Sequence, residues 1–429
     1  MFEHLNKRVN DKDVNYKKAV EITTEEKQIL KGLAAKVAEL AARPGEQKKA
    51  NLWKKHNALE RTRPLIFSDP ENGWNEIITE EQMQCQNEVA RLWEVTLRKD
   101  IFWAESMGDD RALESVFEVP HVYSDSGWGL KEEREGGAHG GAFKWKAPIK
   151  DYNEDLPKLH FPQITVDHEL SQEVLQVAKE IFGGILDVRQ KTVWWWSFGL
   201  TDELAYLRGM ENMLYDFYQH PDKLHELMGI LRDGTLARIE YLEKEGLLAL
   251  NNNDTFVSSG GFGWTDELPQ PDFAGKVRTM DMWGFAESQI TVGISPQMFE
   301  EFIFPYQLPL LDKFGLNGYG CCEPLDKRWH VVERIPRLRR VSVSKWANLP
   351  DMVEKLGDKY ICSLKPDPVD ISTPTIDEKR IREKVKEMLQ VTKGCHVELC
   401  MKDNHTLGNN PENIIRWCRI AKEEAESLS

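Results

Sequence analysis

The chain has 429 residues, of which 30% are charged and 10% aromatic, and it contains no low-complexity tract. Lys and Arg number 56 against 71 Asp and Glu, a net charge of −15, which argues against the basic surface that nucleic acid or an acidic membrane requires. No run of about 18 apolar residues occurs, and the opening MFEHLNKRVNDKD has no apolar core, so neither a membrane span nor a secretory leader is expected, and a cytoplasmic location with reduced thiols follows.

Residues 1–60 read as polar and helical. TTEEKQILKGLAAKVAELAA opens on a capping pattern at Thr24 and continues with apolar residues at helical spacing. RPLIFSD (63–69), a short apolar run after a proline, predicts a buried strand, and VFEVPHVYSD (116–125) predicts a second. Residues 126–150 set Gly-Gly pairs on either side of His139 among charges. That is the pattern of a long mobile loop over a site, or of a solvated surface insertion. TVWWWSFGL (192–200) predicts a strand, and residues 202–246 predict two helices joined near His220-Pro221. LLALNNND and MWGFAESQI (282–290) predict strands, followed by a helical pair opened by Ser295-Pro296. Strands are then expected at LNGYGCC, RVSVSKW (340–346), YICSLKP (360–366) and CHVELCMKD (395–403), each followed by a helix.

Short apolar strands alternating with helices predict a parallel sheet with helices outside it. There are nine strand candidates, one more than a closed eight-stranded barrel needs. The expected fold is therefore α/β: a (β/α)8 TIM-type barrel over 61–429, with a helical N-terminal extension over 1–60 and an inserted loop near 126–150. A doubly wound open sheet is the second reading. Barrel chemistry collects at the carboxyl ends of strands. This singles out Asn251 to Asp254, Glu287, Ser288, Cys321 to Glu323, Lys345, Trp346, Lys365 and the ELCMKDNH segment.

Six of the seven cysteines lie after residue 320. In CHVELCMKD, strand alternation puts His396, Glu398 and Cys400 on one face. That face is metal-capable, or else it holds a solvated histidine and a buried cysteine. In YGCCEP, a strand running through Cys321 and Cys322 would point them to opposite faces. Only one would reach the mouth, and a disulfide between neighbours is strained. Thiolates with a carboxylate suit zinc, although the spacing is not CxxC. Lys365 precedes a proline at a strand end and either meets an acidic ligand or snorkels to water. No Walker loop, GxSxG elbow, GxGxxG fingerprint or HExxH pair is present.

ISPQMFEEFIFPYQLPLLDKFG with the following GCCEPLD, ELAYLRGMENMLYDFYQHPDKLHELM and TLGNNPENIIRW resemble the uroporphyrinogen decarboxylase superfamily, over roughly residues 195–425. The resemblance implies a (β/α)8 barrel with its site at the C-terminal mouth. It also implies one of two activities, decarboxylation of uroporphyrinogen or corrinoid-dependent methyl transfer. The decarboxylase branch carries an arginine-bearing, RQAGR-like first strand. RPLIFSDPENGW stands there instead, and its Asp69 and Glu71 would repel an acid-rich porphyrinogen. A cationic mouth would have to come from Arg63, Arg208 and Lys365. The methyltransferase branch binds zinc through a His-x-Cys on one strand and a Cys on the last. On this chain Cys322 takes the first Cys position, Cys400 falls near the second, and Gly320 stands where the histidine would be. Glu398 or Glu323 would complete the set, with His396 and His405 behind them.

A carboxylate in place of imidazole makes zinc a harder Lewis acid, suited to polarising an oxygen-bearing methyl donor. The resemblance thus implies a zinc-dependent, corrinoid-linked methyltransferase, the demethylase component. It would move methyl from a small O-methyl donor to the Co(I) corrinoid of a separate protein, since no DxHxxG run is present. The tryptophan-rich segments would suit an aromatic donor. The implied metal ligands are Cys322, Glu398 and Cys400, and the implied catalytic groups are Glu323, Glu398 and Lys365. Substrate contacts are expected from Trp195, Glu287, Asn252 and His139. A uroporphyrinogen-type decarboxylase and a non-catalytic barrel docking a corrinoid protein are the alternatives.

Overall fold

The computed structural model of the protein describes residues 14–136 and 143–427. His139, an expected substrate contact, lies outside these residues. Among them the strands are β1 (Leu65–Ser68), β2 (Val116–Val119), β3 (Val122–Asp125), β4 (Glu133–Gly136), β5 (Phe143–Lys146), β6 (Ile164–Asp167), β7 (Asp187–Gln190), β8 (Trp283–Ala286), β9 (Leu316–Tyr319), β10 (Leu338–Val343), β11 (Ile361–Leu364) and β12 (His396–Met401). Six of them form one sheet in the order β1-β12-β11-β10-β9-β8, and every pairing in it is parallel. Parallel neighbours need crossovers. Helices Pro296–Phe302 and Phe304–Leu311, the short Trp329–Val332, Leu349–Leu356 and Glu378–Val391 lie in them, and Glu412–Ser427 returns to pack beside β1.

The sheet is buried on both faces, as parallel sheets are. Ile66, Val341, Val343, Cys362, Leu364, Val397 and Leu399 join the main apolar core with the helices. Strand alternation sends Phe67, Arg340, Ser342, Ser363, Glu398 and Cys400 to the other face. Part of the chain fills that face. Phe256 and Phe262 pair as an antiparallel bridge, and the glycines between them reach the strands. A Cβ on Gly260 would sit 2.6 Å from Lys365 Nζ and 2.7 Å from Cys400 Sγ, and one on Gly261 (φ +83°) would sit 2.7 Å from both Arg340 Nη2 and Glu398 Oε2. Only glycine allows this approach.

Two N-terminal helices, α1 (Thr24–Ala41) and α2 (Pro44–Asn57), belong to the packed structure. The α1 cap is Thr23, in a reciprocal capping box with Glu26, one residue before the expected Thr24. α1 packs in a second apolar cluster with the helices Glu88–Phe102 and His168–Phe182. α2 brings the fully buried Trp53 against Leu65, Phe67, Phe262 and Cys400.

Several expected elements differ. Pro120, which has no N–H to give, splits 116–125 into β2 and β3. Residues 126–150 hold an antiparallel pair, β4 with β5, in place of a bare loop. Residues 202–246 form three helices, Thr201–Arg208, Met210–Gln219 and Pro221–Glu245, with an added break at Gly209. Neither 192–200 nor 247–254 forms a strand. Asn251 shows why for the second: its side-chain amide accepts from Trp283 N (2.9 Å) and donates to Trp283 O (3.0 Å), replacing a ladder partner. β2 pairs parallel with β7. Single backbone bonds also run along the two edges of the six-stranded sheet, Asp110 N to Ile66 O (2.8 Å) and Phe198 N to Phe285 O (2.8 Å).

Candidate active site at the carboxyl ends of the strands

β9 stops at Tyr319 because Gly320 turns the chain at φ +89°. A side chain there would meet Leu325 Cδ1 at 2.6 Å, so the turn requires glycine. It ends strand alternation, and the two cysteines do not point apart as a continued strand would demand. Their sulfurs lie 3.5 Å from each other. Cys321 is buried and Cys322 half-buried. Lys402 Nζ donates to Cys321 Sγ at 3.2 Å, and Cys322 Sγ donates to Asp403 Oδ2 at 3.6 Å. Glu323 holds the turn: Oε2 accepts from Cys321 N (2.9 Å), and Oε1 accepts from Ser288 N (2.7 Å) and Ser288 Oγ (3.2 Å). Glu323 is therefore a clamp on the thiol-bearing turn, not a free acid.

Lys402 continues the polar face of β12 one step past Cys400, and it is 2% exposed. Carboxyls surround it. Glu71 Oε1 accepts from Asp403 N (2.9 Å), and Asp69 Oδ1 accepts from Glu71 N (2.9 Å). Glu71 (φ +47°) and Asp403 (φ +62°) both sit in the left-handed region, a strained backbone for such residues and one that gathers at functional sites. Burial, then the Asp69 charge, push the Glu71 carboxyl up to about 8, with Lys402 opposing. Burial also raises Asp69. Burial works against the Lys402 cation, but Cys321, Asp403, Cys322 and Glu71 outweigh it and hold its pKa high. Burial pushes the Cys321 thiol up.

Of the three expected metal ligands, Glu398 and Cys400 are neighbours, but Cys322 does not join them. Cys400 Sγ lies 3.8 Å from Glu398 Oε1 and 3.8 Å from Ser363 Oγ, beneath the Gly260-Gly261 loop. Cys322 engages Asp403 at the mouth instead. Glu398 is committed elsewhere, with Arg340 Nε 3.1 Å from Oε1 and His56 Nε2 3.3 Å from Oε2. Among the described residues no group of three or more His, Cys, Asp or Glu side chains is arranged to hold a metal ion. Lys365, expected at the mouth, folds back to donate to Ser363 Oγ at 2.6 Å. His396 is buried at the start of β12, and His405 is exposed.

Of the expected substrate contacts, Trp195 is half-buried: it packs on Phe198 and Phe314 and also lines a cleft beside the tryptophan run. Asn252 donates to Leu268 O at 2.7 Å. Glu287 does lie at a strand end, where burial, then Asp202 and Glu323, raise its carboxyl well above the ordinary range. Gly199 packs so closely on it that a Cβ would meet Glu287 Oε1 at 2.3 Å. Trp346, at the end of β10, is 71% exposed beside the Lys345–Asp367 ion pair. A separate cleft, lined by Lys191, Trp194, Trp196, Asn251, Thr255 and Trp283 among others, opens between the tryptophan run and the filling loop. It contains none of the mouth thiols.

Cys321, Lys402 and Asp403 fall within the strand-end segments expected at the mouth, and Glu71 among its acids, but sequence reasoning assigns none of them a catalytic, substrate or metal role. Strand alternation in HVELCMK already carried the polar face to Lys402. The SDPE run put acids just past the end of β1, but nothing local announced that Glu71 would turn back towards Asp403. No protein-family model matches this chain, and no curated protein matches it either.

Proposed function

We propose that this chain is a corrinoid-linked methyltransferase of the uroporphyrinogen decarboxylase superfamily type, a demethylase component acting on a small O-methyl donor, with Glu71 as its acid. The edge bonds at Ile66 and Phe285, with β2 and β7 between them, support reading the sheet as part of a closed eight-stranded (β/α)8 barrel. The carrying observation is Glu71: a carboxyl on strained backbone that accepts from Asp403 N and interacts with Lys402, raised to about 8 by burial and Asp69. Cleaving an O–CH3 bond leaves an alkoxide or phenoxide, and a carboxyl still protonated at neutral pH can give that oxygen its proton. Lys402 stabilises negative charge developing next to it. The half-buried Cys322 and the exposed Trp346 stand where a partner-borne corrinoid would approach, and when docked it supplies the methyl acceptor.

The residues do not fit a zinc centre: Cys322 engages Asp403, Cys400 lies under the Gly260-Gly261 loop, and Glu398 is paired with Arg340 and His56. The decarboxylase alternative loses two of its three cations to ion pairs, and the third, Lys365, is turned back on a neighbouring hydroxyl. Arg63 is held by Asp110 through two 2.7 Å bonds, Arg208 by Asp216 at 2.6 Å, and Lys365 by Ser363.

The test is methyl release from O-methylated aromatic donors with reduced cobalamin as acceptor, followed spectroscopically across pH. The wild-type rate should be level at neutral pH and fall as pH rises through about 8. Glu71→Gln should lower kcat by about a hundredfold or more and abolish that fall. A wild-type rate level to pH 10, or a fully active Glu71→Gln enzyme, overturns the assignment.

A further inference from the structure

We propose that Cys321 and Cys322 form a vicinal dithiol that small disulfides oxidise reversibly, a modification site independent of the methyl-transfer reading. Three features of the geometry carry it. The Gly320 turn puts both sulfurs on one side, 3.5 Å apart, and they need only close to about 2.05 Å to bond. The two thiols are unequal: Cys322 is half-buried and can be reached from the mouth, whereas Cys321 is buried behind it. The buried Lys402 ammonium is 3.2 Å from Cys321 Sγ, where it opposes the burial that otherwise keeps this sulfur a thiol and so favours the attacking form.

The chemistry takes two exchanges. Cys322 thiolate attacks one sulfur of an oxidised low-molecular-weight disulfide such as glutathione disulfide, forming a mixed disulfide and releasing one glutathione thiolate. Cys321 thiolate then attacks Cys322 Sγ, closing the Cys321–Cys322 bond and expelling the second glutathione. The protein loses two electrons and two protons, and the glutathione disulfide becomes two glutathione thiols. Neighbouring Cα atoms are held about 3.8 Å apart across the trans peptide, below the range of about 4.4–6.8 Å usual for disulfides. The bond is therefore strained and easily reduced, which makes it a switch and not a staple. Closure removes the reachable thiol from the mouth and frees Lys402 from its sulfur partner.

The tryptic peptide Phe314–Lys327 contains both cysteines and no others, so mass spectrometry reads the site directly. Reduced, folded protein is incubated with glutathione disulfide, then quenched with acid and N-ethylmaleimide before digestion. The expected peptide is two hydrogens lighter, carries no maleimide, and regains both alkylation sites after dithiothreitol. Cys321→Ser should stop at the glutathione adduct on Cys322, and Cys322→Ser should gain no adduct. Lys402→Met removes the ammonium beside Cys321 Sγ and should slow closure about tenfold. A wild-type peptide that stays reduced, or stops at the mixed disulfide, overturns the proposal. So does an adduct forming on Cys321 in Cys322→Ser as fast as wild type reacts. The wild-type result decides closure even where a variant fails to fold.

Discussion

At the scale of single residues, Glu398 shows how a metal-capable side chain can be taken up by structure. It is buried, yet its carboxyl is held at about 2: burial alone would raise it, and Arg340 and His56 outweigh that. The folded value lies below the ordinary 4.5, so the ion pair stabilises the fold above that pH. The contribution disappears as pH falls from about 4.5 towards 2. A shift of that size corresponds to about 3 kcal/mol. Arg340→Met leaves the carboxylate buried without its cation and should cost about 3–5 kcal/mol in urea denaturation at pH 7. Adding Glu398→Met should recover most of that loss, because a buried pair replaced by apolar groups of similar size is close to neutral. A double variant no more stable than Arg340→Met would show that the pair is not the coupled unit described. Strand alternation placed Glu398, Cys400 and His396 correctly on one face. It could not show that Arg340, 58 residues away, and His56, from a helix far upstream, would meet the carboxylate.

At the scale of elements, the segment Thr255–Gly263 decides which polar residues remain available for chemistry. Its glycine tip fills the polar face of the sheet over Lys365, Cys400, Arg340 and Glu398, leaving Lys402, Asp403, Glu71 and the cysteine turn beyond it. NNND reads as the end of a strand at the mouth, but SSGGFG has no periodicity from which an inserted loop follows. The turn at Gly320 was equally hidden: LNGYGCC reads as one strand, and only the positive φ separates the thiols from it. Gly261→Ala tests the filling role. It meets both backbone strain at φ +83° and crowding by Arg340 and Glu398, and should cost about 3 kcal/mol, the sum of left-handed strain and overpacking. Gly184→Ala is the control, with φ +81° and nothing within 4 Å of the added Cβ, and should cost only about 1 kcal/mol. Equal losses in denaturant midpoint for the two variants would mean that the loop tip yields freely and does not fill the sheet.

At the scale of the whole molecule, most of the parallel sheet was readable because its strands are short apolar runs punctuated by Gly, Pro and helical repeats. The N-terminal helices were readable as helices, but their place was not, since helical spacing does not say what a buried face will meet. Trp53 donates to Asp110 O at 2.8 Å, and Asn57 donates to Phe262 O (2.9 Å) and Trp264 O (2.7 Å) while accepting from Arg340 Nη2 (2.7 Å). α2 thus closes one side of the polar face, ties down the Thr255–Gly263 loop and completes the surroundings of Glu398 through His56. A chain starting at residue 58 would expose Leu65, Phe67 and Phe262, and would leave Arg340 and two loop carbonyls without Asn57. Each buried polar group stripped of its partner costs about 1–3 kcal/mol, and the lost Trp53 contact adds about 3–5 kcal/mol. Together these reach the whole stability of an ordinary domain, about 5–15 kcal/mol. The truncated chain should therefore show no cooperative thermal transition by circular dichroism. A peptide spanning 24–57, supplied in trans, should restore one, because it returns Trp53, His56 and Asn57 to their partners without needing the covalent link to residue 58. Cooperative unfolding of the truncated chain at the wild-type midpoint would instead make these helices an appendage, and the floor they form beneath Glu398 dispensable.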